Sequence, residues 1–326
     1  MMKNILVVGG AGYIGSQMVK TLLESGYYVV TLDNLSSGYR DAIVGGEFEY
    51  VDLANKFELE RVFKKYQFDA VMHFASCIQV GESIIKPTMY YEKNVVNTLN
   101  LLDVMLKYDV KLFIFSSTAA LFGEPEYTPI DEKHSMNPIN PYGRSKLMVE
   151  QILADYDRAY KLKSICLRYF NAAGADPEGL LGERHEPETH LIPLILQAAS
   201  SRRESIRVFG RDYNTPDGTC IRDYIHIVDL CLAHLLALEK LIDEKKSHTY
   251  NLGNGHGFSV QEVIDTARKI TGEEIKVVDE ARREGDPAVL VADSTLAKTE
   301  LNWKPQHSKL STIIKHAWQW ELNHYC

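Results

Sequence analysis

A tyrosine and a lysine four residues apart, Tyr142 and Lys146, lie in the segment "NPYGRSK" (140–146). On a helix, residues at this spacing share one face, one turn apart. A phenol whose pKa is lowered by a neighbouring ammonium can act as a general base. A free tyrosine has a pKa near 10, so lowering it to neutrality takes about 4 kcal/mol. One positive charge at about 5 Å supplies roughly 3 kcal/mol at an effective dielectric constant of about 20, so the lysine alone would be marginal.

A glycine loop near the start of the chain predicts a dinucleotide site. The segment "GGAGYIG" (9–15) separates an apolar run from an amphipathic one and fits both Gly10-x-Gly12-x-x-Gly15 and Gly9-x-x-Gly12-x-x-Gly15. Glycine is needed where a strand turns sharply into a helix, where backbone approaches a pyrophosphate, and where helix and strand pack closely. The N–H groups and the positive dipole end of the helix would then face the phosphates.

Two aspartates mark the ends of the next two predicted strands. Asp33 lies eighteen residues after Gly15, where a carboxylate accepts hydrogen bonds from the adenosine ribose and repels a 2′-phosphate. Asn34 follows it instead of an arginine, so the pattern favours NAD over NADP. Asp52 stands where an adenine contact would lie, and an aspartate that only caps a turn explains it equally well.

Small and hydroxyl residues end two further predicted strands. "HFAS" (73–76) closes one of them and "SSTA" (116–119) closes the next. Ligands of a doubly wound sheet bind at the carboxyl ends of its strands, so a hydroxyl, Tyr142 and Lys146 would meet there over the nicotinamide. On its own, the pair is more simply a packed tyrosine and a solvated lysine. After this loop and these strand ends, we expect proton transfer.

Apolar and amphipathic segments alternate through the first half of the chain. Buried strands are predicted at 4–8, 27–32, 48–51, 70–74, 112–116 and 164–170, and helices at 13–25, 56–66, 87–108 and 141–160. This alternation predicts an α/β fold for residues 1–172, a doubly wound parallel sheet of the Rossmann type. Residues 173–326, with helices at 191–201, 227–243, 259–271 and 308–322, predict a smaller mixed α/β substrate-binding domain. The helix at 227–243 is the one expected to pack back on the first domain.

Composition limits the function classes. The 326 residues carry 36 Lys and Arg against 44 Asp and Glu, a net charge of -8 that argues against a general nucleic-acid binder. The five cysteines are odd in number and form no CxxC pair, which indicates a reducing compartment. The first residues lack the long apolar region of a secretory signal, and no apolar run reaches the about 18 residues of a membrane span. We expect a cytoplasmic protein with no membrane partner.

Eight segments together resemble the extended short-chain dehydrogenase/reductases. They are "GGAGYIGS", "DNLSSG", "HFAS", "VGESIIKPTMYY", "FSSTAALFG", "PYGRSK", "RYFNAAGA" and "DGTCIRDYIHIVDL". They extend over nearly the whole chain and are most similar to the UDP-sugar 4-epimerases of that family, which interconvert UDP-galactose and UDP-glucose.

The resemblance implies an epimerisation without net redox change, on tightly bound NAD. Tyr142 would remove the proton of the sugar 4-hydroxyl while the C4 hydride passes to NAD, and Thr118 would hydrogen-bond the reacting oxygen. Lys146 would bind the nicotinamide ribose and keep Tyr142 ionised. The 4-keto sugar would then turn about its link to the diphosphate and take the hydride back on its other face. A homodimer, through a bundle of the helices at 87–108 and 141–160, is also implied.

The resemblance also implies two sets of binding residues. The cofactor set is Gly9, Gly12, Tyr13, Ile14, Gly15, Asp33, Asn34, Asp52, Leu53, Phe74, Ala75, Ser76, Asn94, Tyr142, Lys146, Tyr169 and Phe170. The substrate set is Thr118, Tyr142, Asn171, His190, Leu191, Phe209, Arg222, Arg283, Asp286 and Leu290. Within the second set, Arg222 and Arg283 are expected to clamp the diphosphate, since a guanidinium donates two parallel hydrogen bonds. Asp286 is expected to accept from ribose hydroxyls.

Five residues need separate comment. His190 stands where some members have an asparagine in the nucleotide site, Phe122 replaces the usual tyrosine, and Ile78 stands where some members have a lysine near the cofactor. Leu290 occupies the position expected to set sugar size, intermediate between a tyrosine, which narrows the pocket, and a small residue, which admits N-acetylated sugars. His185 and His190 stand among acids in "ERHEPETH" (183–190), but this spacing fits no common metal site and no metal is expected.

Related functions differ at identifiable positions. A nucleotide-sugar 4,6-dehydratase needs an Asp-Glu pair just after the strand-end threonine, where this chain has Ala119 and Ala120, so that function is excluded. A 4-epimerase of another UDP-sugar (an N-acetylhexosamine, uronate or pentose) stays open. A non-catalytic NAD sensor would tolerate loss of Thr118, Tyr142 or Lys146, and all three are present.

Overall fold

The computed structural model describes residues 2–283 and 285–326. Its strands are β1 (Asn4–Val8), β2 (Tyr28–Asp33), β3 (Glu47–Tyr50), β4 (Ala70–His73), β5 (Leu112–Thr118), β6 (Lys163–Tyr169), β7 (Asn171–Ala173), β8 (Ile206–Phe209), β9 (Ile221–His226), β10 (His248–Leu252), β11 (Gly257–Ser259), β12 (Val277–Glu280) and β13 (Val289–Leu290). Its α-helices are α1 (Tyr13–Glu24), α2 (Lys56–Lys65), α3 (Val80–Ile85), α4 (Pro87–Tyr91), α5 (Asn97–Lys107), α6 (Pro141–Tyr160), α7 (Leu191–Ala199), α8 (Ile227–Glu244), α9 (Val260–Thr271), α10 (Thr295–Glu300) and α11 (Leu310–Tyr325).

Seven strands form one parallel sheet in the order β10-β6-β5-β4-β1-β2-β3. The central strands are apolar and buried along their length because both faces of the sheet are covered. The chain moves outward from β1 to β2 and β3 and then returns to β4 on the other side of β1. A crevice therefore opens at the carboxyl ends of β1 and β4, the usual ligand position of such sheets. The predicted doubly wound fold is confirmed.

Helices cover both faces of this sheet. α1 and α8 pack on one face around the fully buried Met18 and Leu230. α2, α5 and α6 pack on the other face around Leu59, Leu101 and Val149. Burial of one such side chain contributes about 1.5–3 kcal/mol to folding. Among the helices of the described residues, none has both the length and the apolar character that crossing a bilayer requires.

A second group of layers follows β7. β9 pairs with β7, β11 and β13, and β12 pairs with β8. Among these pairs, only β11 runs antiparallel to its neighbour in the part of the chain that the structure describes. α7, α9 and α11 pack together around Ile195, Ile264 and Ile314.

Two elements beyond residue 173 belong to the main sheet and its covering layer. α8 lies against α1, as expected for the helix predicted at 227–243. β10 extends the sheet beyond β6, and its sequence "HTYNL" has no apolar run that would have predicted a buried strand. The boundary near residue 172 stays a prediction, because the sheet includes strands from both sides of it.

The single helix predicted at 87–108 is interrupted. A π-helical turn, Glu92–Val96, separates α4 from α5. Within the turn, Asn94 accepts from the Cys77 N–H at 2.8 Å and donates to the Cys77 carbonyl and the Ser145 hydroxyl at 3.0 Å each. A π turn changes the direction of a helical side chain and is frequent at functional sites. Here the turn directs the Asn94 side chain so that its hydrogen bonds connect the loop after β4 with helix α6.

Candidate active site and cofactor cleft

The glycine loop lies at the carboxyl end of β1, where the strand order reverses. Gly9 has φ +80°, and a Cβ there would lie 2.5 Å from the Ala75 nitrogen. A Cβ on Gly15 would lie 2.0 Å from the Gly9 carbonyl oxygen. Gly12 precedes α1 and gives its first turn no side-chain cap, so the N–H groups of that turn are left for another acceptor. The loop has the shape that the pyrophosphate of a dinucleotide requires.

The Asp33 carboxylate lies at the end of β2 and supports this loop. Its Oδ2 accepts from the Ala11 N–H at 3.0 Å, and its Oδ1 accepts from the Leu35 N–H at 2.8 Å. Burial raises the pKa of Asp33, and these N–H donors act against that rise. Asp52 accepts from the Asn34 side chain at 2.7 Å and from an N–H of its own turn at 2.8 Å. Asp52 thus closes a turn and also orients Asn34 beside Asp33.

The sequence "NPYG" places Tyr142 in the first turn of α6. Asn140 caps the helix by accepting from the Gly143 N–H at 2.8 Å, and Pro141 has the fixed φ that suits the first helical position. Lys146 follows one turn later. Tyr142 is 9% exposed and Lys146 is 3% exposed, so neither is a solvated surface residue.

Lys146 is held between two strand ends. Its Nζ donates to the Ser76 hydroxyl, after β4, at 2.6 Å and to the Ser116 carbonyl of β5 at 2.9 Å. Burial lowers the pKa of Lys146 to about 7, against the weaker attraction of Cys77 and Glu150. An ammonium has three donors, so one N–H is left for a ligand.

Tyr142 and Thr118 form the other half of the site. Burial raises the pKa of the Tyr142 phenol, and the Thr118 hydroxyl acts in the opposite direction. Thr118 Oγ1 accepts from the Ala120 N–H at 3.1 Å, which orients the hydroxyl and leaves its proton free to be donated. The protein alone therefore keeps Tyr142 protonated at neutral pH. Its expected ionisation needs a positive charge beyond that of Lys146, such as a nicotinamide ring.

Two aromatic residues of the expected cofactor set lie at the same strand ends. The Tyr169 phenol, at the end of β6, forms a hydrogen bond with the Ser116 hydroxyl. The rings of Phe74 and Tyr169 lie 5.1 and 6.0 Å from the buried ring of His234 on α8. α8 therefore packs against two aromatic side chains of the expected cofactor cleft. The sequence did not predict this contact.

Three further members of that set make contacts within the protein. The Tyr13 hydroxyl donates to the Gly174 carbonyl at 2.6 Å. Ile14 and Leu53 pack in the two main apolar clusters on either face of the sheet. Their place in the cofactor set stays a prediction.

The residues expected to bind the nucleotide lie on β7, β8 and β9, at the start of α7, and between β12 and β13. Arg222 pairs with Asp286, and Arg283 donates to the other oxygen of the same carboxylate at 3.3 Å. Arg283 also lies 4.6 Å above the Phe209 ring. Asn171 donates to a carbonyl of β9 at 2.8 Å. Asp286 thus binds two guanidinium groups in this structure, and the ribose contact expected of it stays a prediction.

Leu290 and the residues that depart from the expected pattern occupy different surroundings. Leu290 packs with Phe122 and Phe170 in a small apolar cluster. Phe122 is 1% exposed, so its ring is buried inside this apolar cluster and does not lie on the protein surface. Ile78 is 38% exposed in the loop after β4.

A buried ion pair beneath the site was not found from the sequence. Glu150, one turn after Lys146 on α6, accepts from the Ser117 hydroxyl at 2.5 Å and from Arg168 Nη2 and Nε at 2.5 and 3.0 Å. The side chains of Arg168 and Glu150 are 5% and 8% exposed. The pair joins α6 to β5 and β6, and so fixes the helix that carries the tyrosine and the lysine. The sequence feature that could have predicted this pair is the arginine inside the apolar run "SICLRYF", because a buried arginine needs a carboxylate partner.

Four side chains of the segment 183–190 converge just before α7, which begins at Leu191. His190 Nδ1 lies 2.7 Å from Glu183 Oε1 and 3.0 Å from Glu188 Oε1, and His185 Nδ1 lies 3.2 and 3.6 Å from the same carboxylates. Burial lowers both imidazole pKa values, but the carboxylates outweigh it and raise the pKa of His190 to about 10 and that of His185 to about 9. The ligand atoms of all four lie within 4.8 Å of one another. The sequence spacing did not predict this arrangement.

Residues 5–253 match the model of a family described as the NAD dependent epimerase/dehydratase family. The chain belongs to that family.

Relatives within the epimerase/dehydratase family match along almost the full chain. A UDP-glucose 4-epimerase of Halalkalibacterium halodurans is 50% identical over 320 residues, 98% of this chain and 96% of that one. The crystal structure of UDP-glucose 4-epimerase from Brucella ovis in complex with NAD is 47% identical, with a TM-score of 0.95 over 97% of both chains. A structure of the UDP-Glc/GlcNAc 4-epimerase of Campylobacter jejuni is 43% identical, with a TM-score of 0.87 over 98% of this chain and 99% of that one.

The described residues fit the cofactor for which the epimerase/dehydratase family is named. The crowded backbone at Gly9 and Gly15 leaves no room for side chains where a pyrophosphate would approach. The first turn of α1 has uncapped N–H groups, and Asp33 stands at the end of β2 where a ribose would lie. Lys146 retains one donor at the neighbouring strand ends.

Proposed function

We propose that the protein is a UDP-glucose 4-epimerase that interconverts UDP-galactose and UDP-glucose with a tightly held NAD. The observation that carries the proposal is the meeting of Thr118, Tyr142 and Lys146 at adjoining strand ends beside the glycine loop. Relatives 47% and 50% identical over nearly the whole chain carry the same enzyme name. Ala119 and Ala120 leave no acid–base pair for a dehydratase.

Each residue of the site has one task in this reaction. Bound NAD supplies a hydride acceptor and donor at the sugar C4. Tyr142 takes the proton of the 4-hydroxyl and later returns it, while Thr118 donates a hydrogen bond to the reacting oxygen. Lys146 uses its remaining N–H for the nicotinamide ribose, and its charge offsets that of the phenolate. Proton and hydride both return to the sugar, so the reaction has no net redox change.

The UDP half of the substrate is assigned to the region around β9. Arg222 and Arg283 would exchange their shared partner Asp286 for the diphosphate oxygens, since a guanidinium can donate two parallel hydrogen bonds to an anion. The other members of this nucleotide set are Asn171, His190, Leu191 and Phe209. The sugar must turn over within the site during the reaction. This requires that the diphosphate be held firmly while the sugar itself is not.

The remaining parts of the proposal concern the whole chain. Residues 1–172 would bind NAD, and residues 173–326 the UDP-sugar, with α8 and β10 crossing back. The protein would act in the cytoplasm as a homodimer joined through α5 and α6. Val96, in the π-helical turn just before α5, and Met148, on α6, are 50% and 41% exposed.

A second candidate function is epimerisation of an N-acetylated UDP-sugar as well. The Campylobacter jejuni relative, 43% identical, is named for both glucose and N-acetylglucosamine substrates. In this chain Leu290, at the position expected to limit sugar size, packs against the apolar cluster that contains Phe122. A smaller side chain there would widen the pocket, so Leu290→Ala should raise kcat/KM for the N-acetylated sugar relative to the plain one.

The test is turnover without added cofactor or reductant. Purified protein should convert UDP-galactose to UDP-glucose, and Tyr142→Phe should lower kcat by about 10²–10⁴-fold while the NAD extracted per chain stays unchanged. Tyr160→Phe, on the same helix but 50% exposed, is the matched control. Normal turnover by Tyr142→Phe would reject the mechanism. Turnover of an N-acetylated, uronate or pentose sugar in place of UDP-galactose would reject the substrate assignment.

A further inference from the structure

The segment 174–190 connects β7 to α7 and contains no helix or strand, although all its residues are described. Its second half carries Glu183, His185, Glu188 and His190, in the order E-x-H-x-x-E-x-H. We refer to these four residues as the 183–190 cluster. A segment of this length without secondary structure is uncommon within a compact domain. The cluster lies at its end, immediately before α7.

The donor atoms of the 183–190 cluster lie within 4.8 Å of one another, close enough to share one ion. Ligands bound at about 2.0–2.1 Å from a tetrahedral ion lie roughly 3.4 Å apart. The four imidazole-to-carboxylate distances, 2.7, 3.0, 3.2 and 3.6 Å, bracket that value. Two imidazole nitrogens and two carboxylate oxygens are a donor set that suits Zn²⁺ and its neighbours among the first-row transition metals.

The protein's own contacts leave this cluster incompletely satisfied. His185 Nδ1 is buried, and no described residue accepts from it or donates to it with hydrogen-bonding geometry, although Glu183 lies 3.2 Å away. The two imidazole rings lie 5.2 Å apart, so protonation of both puts like charges side by side. The Glu183 and Glu188 side chains are 6% and 5% exposed, so water replaces few of these contacts. A cation in the centre would use all four groups at once.

We propose that Glu183, His185, Glu188 and His190 form a binding site for one divalent transition-metal ion, with Zn²⁺ as the best match. The site is structural, because four protein ligands fill a tetrahedral shell and leave no position for a substrate. It takes no part in the chemical step of the proposed epimerase reaction, which uses no metal.

The ion would join three elements that surround the cofactor cleft. His185 meets the Tyr13 ring of α1 edge-on, at 6.5 Å between centroids. The Glu183 carbonyl accepts from Trp320 of α11 at 3.2 Å. His190 immediately precedes α7. Ligation of His190 through Nδ1 would also fix its tautomer, leaving a protonated Nε2 as a donor at the edge of the proposed nucleotide site.

The experiment is a Zn²⁺ titration of the full chain, purified without an affinity tag and treated with a chelator. Calorimetry in two buffers of different ionisation enthalpy should give one Zn²⁺ per chain and a release of about two protons, because each ligating imidazole must lose one. Co²⁺ in place of Zn²⁺ should give the intense visible absorption bands of a tetrahedral site. Failure to bind either ion stoichiometrically would overturn the proposal.

Three variants test whether Zn²⁺ binds at the 183–190 cluster or elsewhere on the protein. His185→Gln and Glu188→Gln should each weaken Zn²⁺ binding at least a hundredfold, whereas His256→Gln, at an exposed histidine elsewhere, should leave it unchanged. The circular dichroism spectrum of each variant shows whether it is folded. Zn²⁺ bound equally well by folded His185→Gln would place the ion elsewhere and reject the site. Loss of Zn²⁺ binding with epimerase activity intact, or the reverse, distinguishes this proposal from the proposed function.

Discussion

Lys146 carries its ammonium in one of the least hydrated positions of the chain. Its neighbours satisfy two of its three donors, but burial still lowers its pKa from the usual 10.5 to about 7. At neutral pH the ammonium is therefore only partly protonated in the NAD-free chain, and a bound ligand that makes up for the lost hydration would raise its protonated share. Cofactor binding and protonation of Lys146 should be coupled for this reason.

Removing Lys146 should change how stability depends on pH. Between about pH 7 and 10.5 the unfolded chain binds this proton and the folded, NAD-free chain does not, so the free energy of unfolding rises with pH by up to about 1.4 kcal/mol per unit. Lys146→Met abolishes this contribution. In urea unfolding of NAD-free protein, the stability of wild type relative to the variant should rise from pH 7 to 10 and be level below pH 7. Lys133→Met, at an exposed lysine, is the control, and parallel curves for Lys146→Met and wild type would contradict the prediction.

Gly15 is the glycine whose replacement should harm the cofactor site most directly. Gly15→Ala places a Cβ 2.0 Å from the Gly9 carbonyl oxygen, so the loop must move away from the pyrophosphate position. NAD affinity should fall at least about tenfold, or roughly 1.4 kcal/mol. Gly81→Ala, where a Cβ meets nothing within 4 Å, should leave it unchanged. Equal NAD content of the two variants after gel filtration would disprove the effect.

At the scale of elements, the Glu150–Arg168 pair fixes α6 to the sheet. Glu150→Gln leaves the guanidinium buried without its counter-charge, so the free energy of unfolding should fall by about 3–5 kcal/mol. Adding Arg168→Met should restore part of this loss, because no unpaired charge remains. Urea unfolding of both variants measures the two effects. A Glu150→Gln variant as stable as wild type would show that the pair contributes little.

The sequence was informative where one short segment determines the structure. "NILVVGGAGYIG" predicts strand, loop and helix because apolar period, glycine spacing and helix start all lie within a dozen residues. "NPYG" likewise contains both the cap and the first turn of α6. The predicted cofactor site and catalytic helix depend on such segments.

Features that depend on contacts between distant segments were not predictable. In the π turn Asn94 binds Cys77 and Ser145, and no local pattern reveals those partners. Glu150 and Arg168 meet only once α6 lies on β6. The 183–190 cluster is local in sequence, but its convergence depends on an irregular backbone that has no period to recognise.

At the scale of the whole molecule, α5 and α6 present an apolar face that supports the proposed dimer. Met148 lies on α6 and Val96 ends the π-helical turn just before α5, and their side chains are 41% and 50% exposed. Met148→Glu places a charge in the proposed interface, so light scattering after gel filtration should show a monomer where wild type is a dimer. Phe57→Glu, at an apolar residue of α2 that is 77% exposed, should leave the mass unchanged. A dimeric Met148→Glu variant would place the interface elsewhere.

The position of β10 beside β6 also has a consequence for how the protein is made. Tyr169, at the end of β6, leaves the ribosome 83 residues before Leu252, at the end of β10. At about 5–20 residues per second, this interval lasts roughly 4–17 seconds. Until β10 emerges, the edge of β6 away from β5 is unpaired, and until α8 emerges the face of α1 that α8 will cover is bare. Unpaired strand edges and exposed apolar faces favour aggregation of nascent chains. The half of the protein that begins synthesis first is therefore among the last parts to be completed, and its yield should depend on chaperones that shield strand edges.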